Sequence, residues 1–199
     1  MEKQELIVTN AVADPSALGL FGLAVVTIVA SMQKLGVIAG IEAILAWAIF
    51  LGGFGQLIAS ILDFKKQNVY GATAFGAFGL FWLAVTFMWL CSSGALGEEL
   101  AKIDKKGFGF VCIAYLIFCL IFTYAGIFLS KFMVIIFLLI DFLFIGLIGQ
   151  YLFDLKAAGI FAGVFEFLIS LVSFYGVAVF VINYSAKRQI LTLGKPYKT

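Results

Sequence analysis

The chain has 199 residues, of which 64% are hydrophobic and 12% charged, with a net charge of +2. Charged residues reach only half the roughly 25% of a soluble protein, so much of the apolar surface must meet lipid rather than water. The near-neutral balance gives no basis for nucleic-acid binding. There is no histidine, which removes histidine-ligated metals, haem axial histidines and Ser–His or Cys–His nucleophiles. No metal site, cofactor or catalytic residue is expected. Cys91, Cys112 and Cys119 form no CxxC pair; Cys112 and Cys119, seven apart on one helical face, read as small buried hydrophobes.

Residues 1–14 lack the apolar core of a cleavable signal peptide, so the first apolar stretch reads as a mature span. A span needs about 20 mostly apolar residues. Six segments qualify, at 15–33, 37–62, 70–91, 108–130, 132–153 and 157–183. The expected fold is therefore an all-α integral membrane protein with six transmembrane helices. Residues 1–14 form an N-terminal segment, 15–183 the membrane domain and 184–199 a C-terminal tail. Asp14 and Pro15 suit an N-cap and first helical position. Gly36-xxx-Gly40 and Gly159-xxx-Gly163 read as small-residue pairs for close helix packing. Six spans put both termini on one side, with Lys3, Lys65, Lys66, Lys131, Lys187, Arg188, Lys195 and Lys198. Lys34, Lys102, Lys105, Lys106 and Lys156 fall on the other, and the positive-inside rule makes both termini cytoplasmic.

The most informative stretch is 52–83. Gly52, Gln56, Ser60 and Asp63 share one helical face, which withdraws an amide, a hydroxyl and a carboxyl from lipid. Ala72, Gly76 and Gly79 make a small-residue stripe on the next helix. The order Gly52-Gly53, Gln56, Asp63-Phe64, Asn68, Tyr70-Gly71, Thr73-Ala74-Phe75 and Phe81-Trp82-Leu83 resembles the signature of the acetate uptake transporter family, the Gpr1/Fun34/YaaH group. Pro15 and Leu18-Gly19-Leu20 resemble that family's opening run, with Asp14 and Ala17 replacing its first Asn and second Pro. Ala162-Gly163, Phe174-Tyr175 and Asn183 follow its last-span pattern.

The resemblance implies a six-helix protomer with its own narrow pathway for acetate or similar carboxylates such as succinate, assembled as a homohexamer in the plasma membrane. It implies an apolar pinch, which maps to Leu23, Phe78 and Leu139. No Lys or Arg falls deep in a span, with Lys34 and Lys131 at ends. Carboxylate binding is thus expected from helix N-terminal amides and neutral donors, with Asn68, Tyr70 and Thr73 opening the third helix and Gln56 facing them. Asp141 and Glu166 lie in spans at depths differing by roughly 5 Å, counted at 1.5 Å per residue. They are candidates to share a proton, or to join helices. Two other readings remain open: a UreI-like urea/amide channel, which also builds six-span hexamers, and a non-transporting membrane scaffold. A membrane-embedded enzyme has little support.

Overall fold

A computed structural model describes residues 12–198. Lys3 and most of the expected N-terminal segment lie outside these residues. Among the described residues are six helices long and apolar enough to cross a membrane: α1 (Ser16–Lys34), α2 (Glu42–Lys65), α3 (Val69–Ser92), α4 (Lys106–Gly126), α5 (Lys131–Phe153) and α6 (Lys156–Ala186). One further helical turn, Glu98–Ala101, sits in the hydrophilic loop between α3 and α4. The six expected spans are therefore all present, and α6 runs three residues past the expected end.

The helices close into a ring. α1 packs on α6 and α2, α2 on α3, α4 on α5, and α5 on α6. The ring closes between α3 and α4 through aromatic side chains, including Phe81 against Tyr115 at 4.7 Å. Because lipid is as apolar as leucine, interhelical hydrogen bonds and close packing do the joining. Ser60 Oγ donates to Ala72 O at 2.7 Å, and Ser170 Oγ to Ala24 O at 2.9 Å. Tyr115 and Tyr70 hydroxyls donate to Ala77 O and Phe122 O. Cys112 and Cys119 are wholly buried, as small hydrophobes should be.

The connection between α1 and α2 departs from expectation. The second span starts at Glu42 rather than residue 37, because Gly36 and Gly40 adopt φ of 74° and 75° in the α1–α2 connection. That left-handed conformation suits glycine, so this pair shapes a turn and packs no helix. Gly159 and Gly163 allow close approach, Gly159 to Gln150 of α5 and Gly163 to the Lys34–Leu35 end of α1. Within α2, residues Ala48–Gly55 form a π-helical stretch instead of a regular helix. Gly22 lies against the Leu51 carbonyl there, and Gly52 against Trp82.

The C-terminal tail folds back as a strap. Asn183 Oδ1 accepts from the Ile190 and Leu191 amides, and Tyr175 Oη donates to Thr192 O. The Phe132 amide donates to Leu193 O, and the Tyr197 amide to Ile127 O. Lys131 lies over the Tyr197 ring at 5.6 Å. The strap thus covers the α4–α5 turn.

Candidate functional site

Two cavities lie in series inside the ring. The wider, about 250 Å³, opens where α1, α3 and α5 begin. The narrower, about 40 Å³, lies toward the other end, walled by Trp89 of α3, Phe108 of α4, Tyr151 of α5 and Glu166 of α6. Leu23, Phe78 and Ile140 belong to both walls and divide them. All three are at most 7% exposed. Phe78 is set by Phe81, Tyr115, Phe118 and Phe137, with ring centroids 6.0–6.5 Å away. An apolar pinch of this kind sheds water and obstructs strongly hydrated ions.

Of the three residues expected at a pinch, Leu23 and Phe78 lie between the two cavities. Leu139 does not: it is half-buried in packing, and its neighbour Ile140 supplies the third side chain. α5 is apolar on nearly every face, so no periodicity marked which residue turned inward.

The wider cavity gathers polar groups at helix starts. Asn68 caps α3, its Oδ1 accepting from the Gly71 amide at 3.2 Å. Ser130 caps α5, its Oγ accepting from the Met133 amide at 3.2 Å. Both capping residues line the cavity, as does Ser16 at the start of α1. Helix N-termini present free amides and positive dipole ends, which favour an anion. The α1 end is different, because Asp14 Oδ1 accepts from the Ser16 amide and Oδ2 accepts from Lys66 at 2.8 Å. Burial pushes the Asp14 carboxyl up, but the hydrogen bonds from Lys66 and Ser16 outweigh it and hold the group below its ordinary range.

Gln56 is wholly buried and lines the same cavity. Neither its Oε1 nor its Nε2 has a hydrogen-bond partner in the protein. The π-helical stretch ends at the residue before it, and such local widening of a helix is common beside functional sites. Tyr70 contributes its ring to the wall while its hydroxyl is engaged with Phe122 O. Thr73 is half-buried and lines neither cavity. Of the four expected contact residues, the fold brings Gln56, Asn68 and Tyr70 together and leaves Thr73 out. Ser16, Ser130 and the strap residue Leu193 complete the wall; Ser130 carried a readable signal, a serine ahead of an apolar run.

Asp141 and Glu166 are held by different helices. Thr123 Oγ1 of α4 donates to Asp141 Oδ2 at 2.6 Å. Glu166 Oε2 accepts from Lys34 Nζ at 2.9 Å. The side chains of Lys34 and Glu166 are 14% and 3% exposed. Depth counting puts the two acids at similar levels but does not identify the helix that each one meets.

Six apolar helices around an internal pair of cavities define a polytopic α-helical membrane protein. The chain belongs to the GPR1/FUN34/yaaH family, whose model matches residues 3–191. It is similar to the succinate-acetate/proton symporter SatP of Escherichia coli K12, with 42% identity over 73 residues, 37% of this chain and 39% of that protein. Acetate permease A of Emericella nidulans is 28% identical over 143 residues, 67% of this chain and 47% of its own. These matches thus span less than half the length of the curated relatives. A solved structure of the bacterial acetate channel SatP superposes with a TM-score of 0.86 at 27% identity, covering 92% of this chain and 100% of that one.

Proposed function

We propose that this protein is a channel or carrier for acetate and related small carboxylates such as succinate. The observation that carries the reading is the serial pair of cavities divided by Leu23, Phe78 and Ile140. The wider one offers what a small carboxylate needs: capped helix starts at Asn68 and Ser130 and the unpartnered Gln56 amide. The methyl end of acetate suits the apolar walls and pinch. The relatives named for acetate and succinate support the same substrate class.

In this reading residues 15–183 are the transport domain, set in the plasma membrane as a homohexamer. Both termini face the cytoplasm. The start of α1 lies beside the end of α6 in one shared pocket, which supports placing the termini on one side. The wider cavity then opens inward. Exposed apolar residues of α4, among them Phe110, Ile117, Leu120 and Ile121, suit lipid or a neighbouring copy. Uptake of labelled acetate and labelled urea into proteoliposomes tests the proposal. Acetate entry above protein-free vesicles, without urea entry, is expected. Urea entry alone would transfer the reading to an amide channel, and neither would leave a scaffold.

A further inference from the structure

Among the described residues Lys34 is the one cation lining either cavity, and it lies beyond the pinch from Gln56 and Asn68. Its partner Glu166 comes from the opposite end of the chain, 132 residues away, joining α1 to α6. α6 makes room for the lysine stem at a glycine. Gly163, one turn before Glu166, lies so close to the Lys34 stem that an added Cβ would stand 2.9 Å from it. The cavity beside the pair has room for about three water-sized spheres, close to the bulk of a two-carbon acid. Other titratable groups facing the pair are the Tyr151 phenol of α5 and the Cys112 thiol of α4. Both are ordinarily neutral near pH 7, and neither can replace the ammonium; α3 contributes Trp89 to this wall.

A carboxylate passing this cavity meets an ammonium already held by a carboxylate. Two anions on one buried cation would repel strongly in a low dielectric, so one must take a proton. Resting on the carboxylate reading above, we infer that Lys34 and Glu166 form a second carboxylate site that accepts one anion together with one proton. The proton comes from the aqueous side of the narrow cavity and adds to a Glu166 carboxyl oxygen. The Lys34–Glu166 ion pair opens and a Lys34–substrate pair forms. Net charge is conserved, because one negative and one positive charge enter together. As the substrate leaves, its carboxylate takes the proton from Glu166 and crosses the apolar pinch as the neutral acid, and the Lys34–Glu166 pair re-forms. The same residues would then link acetate movement to a proton gradient.

Labelled acetate binding to purified protein, counted at pH 5.5 and pH 8, tests this. Wild type is expected to bind two acetates per chain at pH 5.5 and one at pH 8, the survivor being in the wider cavity. Glu166→Gln leaves Lys34 without its internal anion and should bind two at both pH values, a doubling at pH 8. If Glu166→Gln does not purify as a folded protein, Lys34→Gln combined with Glu166→Gln removes both charges and should bind one acetate at both pH values. A pair that only fastens α1 to α6 predicts the same count in wild type at both pH values, or variants that follow wild type, and either result overturns the inference. Wild type that binds no acetate at either pH removes the carboxylate reading itself. Wild type that binds one acetate at both pH values leaves that reading standing and removes only the proton-linked site.

Discussion

Replacing Gln56 with leucine should move stability and substrate affinity in opposite directions. The side chain is wholly buried, and both of its polar atoms lack partners in the protein. A buried polar group left unmatched costs about 1–3 kcal/mol, reduced to the extent that water in the 250 Å³ cavity satisfies it. Leucine is of similar size and carries no such cost, so Gln56→Leu should leave stability unchanged or raise it by up to roughly 2 kcal/mol. Losing an amide donor to a carboxylate removes a hydrogen bond to a charged group, about 1.5–3 kcal/mol. At 1.4 kcal/mol per decade, acetate should bind about tenfold to a hundredfold more weakly. Thermal unfolding in detergent and acetate binding on the same preparation supply both numbers. A drop in stability with affinity unchanged would refute the reasoning and make Gln56 a structural residue.

Phe78→Ala should let propionate, lactate and succinate pass at rates closer to acetate, because it joins the two cavities; an unaltered substrate profile in flux assays would take Phe78 out of the pinch. Asn68→Leu removes the α3 cap, costing about 1 kcal/mol, and should weaken acetate binding beyond that loss; retained affinity with lowered thermal stability would make Asn68 a cap alone. Asp14 is held below its ordinary range by Lys66 and Ser16, so its stabilisation is present above the unfolded carboxylate value near 3.9. It fades as pH falls through the lower folded value. Asp14→Asn should therefore reduce stability slightly at pH 7, by less than about 1 kcal/mol for so exposed a pair, with the difference closing in acid; thermal melts of both proteins across pH 2–7 check it.

Span number and class were readable because lipid demands long apolar helices, and composition reports that directly. The buried face Gly52–Gln56–Ser60–Asp63 was also legible: all four are buried, since polar groups in a span must turn inward. Facing within α5 was not, because Phe132–Leu143 is apolar at every position but Asp141, so nothing in the sequence distinguishes Leu139 from Ile140, which lines both cavities. The ion pair was missed for a related reason. Lys34 at a helix end reads as an interfacial lysine, and only the α1–α6 packing at Gly163 turns it inward. The strap was invisible because its hydrogen bonds are to backbone groups, which sequence does not label; Asn183 and Tyr175 hold it through family positions whose partners lie in the tail.

In the proposed function, solute passes between Leu23, Phe78 and Ile140. This route is tested most directly by placing one cysteine at Ile140, with Cys91, Cys112 and Cys119 replaced by alanine, and treating active proteoliposomes with a small thiol-blocking reagent. Labelling is expected to abolish acetate flux, and saturating acetate to slow the labelling. Flux that persists after complete modification of the cysteine would contradict it.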